Sequence, residues 1–500
     1  MKEKTKIVFW AALAVSMLVS SGSAFAGGNK AADSGGGQKP MDIEIFEGIG
    51  VILPSADQDP ILQALQKKLN INLTMNTSLR SDDYRSQLNV RIAGGDMPDI
   101  LWMPNRTDLV KHAKEGTILE ITPYLNKLQP VVSYLGQDMT PGYVDGKLYA
   151  ISKAPNIPYS YYNIRKDWLD ALNLKVPETT GQFRDVAIKF ANNDPDGNGV
   201  KDTVGLASGG YDAFTYLFGG YGIGQPKEIY VKDNKLVNSL FESDMPVVLN
   251  EIKSLIDAGG VDPELFTLTD SNKVQEKAIQ GKIGFFYHDW TFPAKNMTLI
   301  KEVNPRADWI ALGVPTGPRG TNYASSHSFY TSGLLSIAES LSRNPAKLEK
   351  VFEIFNYLSS TEGLRLASYG IEGAHYNMVN GKVVATDRMG PEGGYFWAYQ
   401  LVGRTELEYL YTKFVGYEDL ISFANDLPRL RNLMPFMLTP EGYNKADLDR
   451  YIDDEIIKFI YGRRPIADYP RFLTELENQF KISVYMKAYE EQAKSFGFIK

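Results

Sequence analysis

The sequence contains no cysteine. That excludes disulfides, thiolate metal sites and thiol nucleophiles together, and it removes the usual point of lipid attachment. Histidine is scarce as well. His112, His288, His327 and His375 stand far apart, with no His-Glu-x-x-His or other metal-ligand spacing. There is no Gly-x-Ser-x-Gly elbow and no phosphate-binding loop. Basic residues do not dominate: 53 Lys and Arg against 60 Asp and Glu leave a formal net charge of -7. A general polyanion binder is therefore not expected, and nucleic acid is not an expected partner. After the first 26 residues no run is long and apolar enough to cross a bilayer. Paired carboxylates for glycoside hydrolysis meet in space and not in sequence, so this composition leaves them open.

What is present begins at the N-terminus. Lys2, Lys4 and Lys6 precede an apolar stretch from Ile7 to Val19, and Ala24-Phe25-Ala26 offers small residues where a signal peptidase reads. Cleavage after Ala26 and export are expected, with residues 1–26 a signal peptide and 27–40 a flexible, Gly/Ser-rich leader. The 500 residues exceed one ordinary core, so two or more domains are the default. Aromatics reach 12%; flat rings suit sugar faces, but a large core uses the same residues.

Along the chain, Asp42 to Phe46 alternates as a strand. Asp59-Pro60 opens a helix with Ile61, Leu62, Leu65 and Leu69 on one face. Ile71, Leu73 and Met75 form a second strand, and Ser81 is expected to cap a helix through Tyr84, Leu88 and Ile92 that ends at Gly94-Gly95. Ile100 to Trp102 is a third short strand, followed by a helix from Thr107 to Lys114. This alternation predicts an α/β sheet with helices on both faces. Ligands of such sheets lie beyond the carboxyl ends of the strands, which places Phe46, Glu47, Trp102 and Arg106 on the ligand side. Val144-Asp145-Gly146-Lys147 reads as a turn, Lys153 to Pro158 as a crossover, and Asn344-Pro345 as the start of an amphipathic helix.

Two features carry chemistry. Asp194, Asp196, Asn198 and Asp202, with Gly199 at the sharp turn and the Val200 carbonyl, match the first nine positions of an EF-hand-type calcium loop. Position 12 is Gly205, so Thr203 or water would complete the shell. A structural Ca2+ is expected here; the competing reading is a polar Asx turn without metal. The second feature is a set of glycine-punctuated aromatic clusters: Tyr211 to Tyr221, Phe285 to Trp290, and Tyr395-Phe396-Trp397. Core packing is the common fate of a single ring, but three clusters at expected loops point to a share in a ligand cleft.

Taken as a series, several segments resemble the family 1 extracellular solute-binding proteins of ABC transporters, in the branch with lipoprotein-like and alginate-oligosaccharide binders. They are Gly95-Asp96-Met97-Pro98-Asp99-Ile100, Gly116 to Leu125, Tyr162 to Leu169, Pro177 to Thr180, Asp194 to Gly205, Gly281 to Gly284 leading to Trp290, and Tyr369 to Tyr376. The resemblance implies a periplasmic-binding-protein-like type II α/β fold, two lobes joined by a hinge. It divides the chain into lobe 1 (41–155), lobe 2 (156–330, with the loop 194–205), a return to lobe 1 (331–380) and a mainly lobe 2 helical part (381–500). Crossings are expected near Pro155, near Tyr330 and after Gly373. The implied function is capture of an oligosaccharide, neutral or uronate-containing, by a monomer that delivers it to membrane permease subunits. Trp290, Trp397, Tyr211 and Trp102 would stack on rings. Arg106, Arg165, Asp289 and His327 would bind hydroxyls or a uronate. No catalysis is expected. The alternatives are a secreted hydrolase or lyase, and a sensor for a membrane receptor. Ser20 to Ser23 stands where most relatives carry a lipidated cysteine, so a freely diffusing periplasmic or extracellular protein is expected.

Overall fold

The computed structural model describes residues 39–267, 271–327 and 333–500. The expected signal peptide and leader up to residue 38 lie outside the described residues, as does Tyr330 at the second expected crossing.

The first strand, Met41–Glu47, buries Ile43 and Ile45 and runs parallel to Ile71–Thr77, with Met41 opposite Ile71. Between them the helix Pro60–Leu69 buries the predicted stripe of Ile61, Leu62, Leu65 and Leu69. Its start is fixed by Asp59, which accepts the amides of Ile61 and Leu62 at 3.0 and 3.1 Å. The next helix, Ser81–Gly94, differs from expectation at its start. Ser81 is the first helical residue, Arg80 holds the cap position, and no side chain bonds the first-turn amides. Gly95, at φ +73, ends it. The strand Ile100–Met103, buried throughout, completes the parallel part of the sheet.

Two antiparallel strands from far along the chain extend this sheet. Leu334–Ile337 pairs with Ile100–Met103, and Ile151–Ser152 pairs with Leu334–Ile337. A second sheet is ordered Trp309–Leu312, Ser160–Arg165, Ile283–Asp289, Val204–Ala207. A third joins the hairpin Ile229–Lys232/Lys235–Asn238 to Arg429–Asn432 and Ala324–His327. The first sheet organises one large apolar core, and the other two organise a second. Residues 396–424 pack in the first core and 433–499 in the second, so the stretch after 381 is shared between the lobes.

The chain passes between the cores three times: between Ser152 and Ser160, between His327 and Leu334, and between Asp426 and Arg429. The first passage is tied to the second and to the first core. The Lys153 amide donates to Gly333 O at 3.0 Å and the Ala154 amide to Val402 O at 2.9 Å. Gly403 (φ +81) presses so close that a Cβ there would sit 2.3 Å from the Ala154 nitrogen. The Lys153 ammonium lies 3.2 Å from Glu47, at the end of the first strand, and both side chains are buried. Burial pushes the Glu47 carboxyl above its usual range against the pull of Lys153.

Removing one partner of a buried pair leaves the other charge uncompensated. Lys153→Met is therefore expected to cost about 3–5 kcal/mol at neutral pH. Because the folded Glu47 takes up its proton at higher pH than the unfolded chain does, that cost should shrink as pH falls through the raised titration. Denaturant unfolding of the variant and the native protein at about pH 7.5 and about pH 5 measures both quantities.

Candidate functional site

The helix Arg106–Lys114 begins at the carboxyl end of Ile100–Met103, and Asn105 caps it by accepting the Asp108 amide at 2.9 Å. Arg106, Val110 and Lys114 recur every four residues, so they share the face of that helix that lines a cavity of about 760 Å³. A hairpin that turns at Asp145 and Gly146, both at positive φ, adds Tyr143 and Asp145. The opposite wall comes from the second core. The helix Ile482–Ser495 buries Tyr485, Tyr489 and Ala493 inward and turns Gln492 and Ser495 to the cavity, with Phe496 just beyond. Gln492 fixes Leu438 there, accepting its amide at 2.7 Å and donating to its carbonyl at 2.9 Å. A cavity of this size, walled by both lobes, falls in the ordinary range for a small-molecule ligand.

Arg106 is only 5% exposed. Its Nη1 donates to Pro141 O and Tyr143 O at 2.6 and 2.9 Å, and the guanidinium lies 5.0 Å from the centre of the Phe496 ring. Desolvation lowers its pKa to about 10, with Asp145 pulling the other way, so it stays charged at neutral pH. Beside it on the same sheet end, Trp102 is wedged where a Cβ on Gly48 or Gly333 would come within 2.9 or 2.6 Å of the indole. The Trp102 Nε1 and the Glu47 Oε2 have no hydrogen-bond partner.

Trp102 does not line this cavity, and neither do Trp290, Asp289, Arg165, Tyr211 and Trp397. Trp290 is 1% exposed, boxed by Tyr159, Phe414 and Tyr417 at the junction of the lobes, and it opens the helix Thr291–Val303 where a loop was expected. Asp289 accepts the Thr291 amide at 3.0 Å; burial raises its pKa, but His288 and Thr291 outweigh that and hold it below the usual range. Arg165 is fully buried, bonded to Asp167 at 2.7 and 2.6 Å, with its guanidinium 4.5 Å from the Trp168 ring and 5.5 Å from Trp309. Its environment is that of a core ion pair. The Tyr211 to Tyr221 segment is helical and not a loop; Phe214, Tyr216 and Phe218 are core residues, and Tyr211 is half-buried against Phe266. The His327 side chain lies outside the described residues. Trp397 sits half-buried in the 3-10 helix Gly393–Tyr399, whose Tyr395 and Tyr399 hydroxyls both donate to Asp59. The C-terminal wall of the cavity, around Gln492 and Phe496, escaped the sequence reading, although Phe496-Gly497-Phe498 repeats the glycine-punctuated aromatic signal used elsewhere.

In the acidic loop, Asp194 (φ +47) accepts the Gly199 amide at 2.9 Å, and Asn198 donates to Asp196 at 2.8 Å and to Asp202 at 3.3 Å. Backbone amides hold Asp194 below the usual carboxylate range; desolvation and the neighbouring Asp194 raise Asp196. Like charges are thus gathered there, and Lys282 pairs with Asp202. Two of the expected ligands are already hydrogen-bonded within the protein. The Thr203 hydroxyl is buried on Phe190 O at 2.9 Å, and the Val200 carbonyl accepts the Asp202 amide at 3.0 Å. Among the described residues, no three acidic or imidazole groups are arranged around one metal position.

A family model described as bacterial extracellular solute-binding protein matches residues 51–363. The chain belongs to that family. It is 24% identical over 345 residues to the lipoprotein LipO of Bacillus subtilis, covering 67% of each protein. It is 26% identical over 332 residues to the polygalacturonan/rhamnogalacturonan-binding protein YtcQ of the same species, again spanning only 64% of each. The crystal structure of the alginate-binding protein AlgQ2 without calcium superposes with a TM-score of 0.67 at 17% identity, over 91% of this chain and 98% of that one. The fold is that of the type II periplasmic binding proteins. No helix among the described residues is long and apolar enough to cross a membrane.

The placement of Trp290 separates stability from binding in this solute-binding protein. Trp290→Ala is expected to destabilise by about 3–5 kcal/mol, as removal of a fully packed indole does. Trp397→Ala, half-buried, should cost about 1 kcal/mol. Thermal and denaturant unfolding of the two variants distinguish them.

Proposed function

We propose that the protein is the exported, non-catalytic receptor of an ABC importer and captures an oligosaccharide by closing two lobes over it. The observation that carries this reading is the cavity walled by Arg106 and Tyr143 from one core and by Gln492 and Phe496 from the other. A ligand there touches both lobes at once. Its contacts with the second lobe exist only when the lobes are together, so it shifts the population toward the closed form. Family membership and the sugar polymers named for YtcQ favour a saccharide. The same reading makes it a monomer that diffuses outside the cytoplasmic membrane, and the cysteine-free sequence offers no thiol for a lipid anchor.

The same reading includes a structural Ca2+ held by Asp194, Asp196, Asn198 and Asp202. Three carboxylates crowded on one turn are relieved by a divalent cation, and the shell would be completed by water, since Thr203 is committed elsewhere.

A thermal-shift screen against neutral and uronic oligosaccharides tests the main claim. A true ligand at a hundred times its Kd adds about 2.7 kcal/mol to the native state and raises the melting temperature. Mass spectrometry of the incubated saccharide should find it intact. Cleavage products would replace this reading with a hydrolase or lyase. Chelation by EGTA should lower the melting temperature, calcium should restore it, and Asp196→Ala should be indifferent to both. Equal melting curves with and without EGTA would remove calcium from the account.

A further inference from the structure

Two arginines are less than a tenth exposed, Arg106 at 5% and Arg165 at 0%. A buried guanidinium costs several kcal/mol in lost hydration unless an anion or a full set of acceptors replaces the water. Arg165 meets that demand with Asp167, through its Nε and Nη2 edge at 2.7 and 2.6 Å. Arg106 does not. Two backbone carbonyls take its Nη1, no carboxylate among the described residues lies within ion-pair distance, and Nε is buried without a partner. The Nε and Nη2 edge, through which Arg165 binds Asp167, makes no hydrogen bond in Arg106.

We propose that Arg106 reads a carboxylate of the ligand, and hence that the captured saccharide carries a uronate at the cavity between the helix Arg106–Lys114 and Phe496. This rests on the saccharide-capture reading above. A planar carboxylate matches the two parallel N–H groups of that edge, which a hydroxyl fills only singly. The surroundings select charge as well as shape. Lys114 adds a second cation to the same wall, while Asp145 across the turn disfavours a dianion such as a phosphate ester. Phe496, carried by the other core, covers the guanidinium, so separation of the lobes uncovers the edge and closure seals the ion pair from water. Sealing strengthens the pair, because its charge-assisted hydrogen bonds then lie in a low-dielectric space.

The test compares trigalacturonate with its methyl ester, which keeps every ring and hydroxyl and loses only the charge. Isothermal titration of the native protein should show roughly tenfold or tighter binding of the acid. Arg106→Gln should erase that preference, losing about tenfold or more for the acid and about threefold or less for the ester. Arg106→Lys, which keeps the charge without the fork, should fall between. Equal affinity of the native protein for acid and ester overturns the inference, as does an Arg106→Gln variant that loses both alike, since packing alone would do that. Binding of neutral oligosaccharides such as kestose and not trigalacturonate overturns it too, while leaving saccharide capture intact. Binding of no saccharide overturns saccharide capture itself.

Discussion

The short passage from Lys153 to Tyr159 is the constraint on which the two-lobed arrangement depends. Its first residue bonds the second passage at Gly333, its second bonds Val402 of the first core, and Lys153 pairs with Glu47 at the tip of the first strand. Its far end is held as firmly. The Tyr159 hydroxyl bonds Glu406, which also pairs with Arg404, while the Tyr159 carbonyl takes the Trp290 amide at 3.1 Å. Between its anchored ends, Ala154, Ile157 and Tyr159 pack against the first core, so the passage is seated on that lobe. Trp290 then has a clear structural reason: it fills the junction where both lobes meet the hinge.

The buried charges around this frame show why burial alone does not identify a site. Lys153, Arg165 and Arg404 are all enclosed, and each has a carboxylate within ion-pair distance. Such pairs fix geometry while contributing little net stability, since desolvation offsets most of their attraction. Arg106 is enclosed to the same degree and lacks the partner. What distinguishes it is the inventory of its neighbours, together with a cavity whose other wall belongs to a different lobe.

Much of the fold was legible in the sequence, for reasons that are local. Asp59 before Pro60, the Ile61 to Leu69 stripe, the Asp145-Gly146 turn and Asn344 before Pro345 all act within a few residues, and the structure keeps each. The failures are where tertiary contacts decide. Ser81 loses the cap to its neighbour because the helix begins one residue earlier than its side chain needs. The glycines between Tyr211 and Tyr221 suggested a loop, yet Gly219 and Gly220 sit in a helix because backbone packs against them: a Cβ on Gly219 would lie 1.7 Å from Tyr323 O. The glycine was there for close approach and not for flexibility. The cavity was half legible. Arg106 follows from the rule that ligands gather at strand ends, whereas Gln492 and Phe496 arrive from the far end of the chain, where the Phe496-Gly497-Phe498 pattern gives no sign of which wall it joins.

The aromatic wealth of the sequence also reads differently once the cores are assembled. In the second lobe Phe183 stacks on both Tyr216 and Phe285 at 3.9 Å, and Tyr162 meets Phe183, Tyr216 and Tyr287 edge-on. These rings join short strands to their covering helices, where small aliphatic side chains would leave gaps. Rings spent in this way cannot face a ligand. Of the four proposed stacking residues, Trp290 and Trp102 are buried in the first core and Tyr211 packs half-buried against the second, which leaves Trp397. The cavity keeps two half-buried rings, Tyr143 and Phe496, and neither was among those four. Beside them stands the unpaired guanidinium, so the cavity presents charge as well as ring faces.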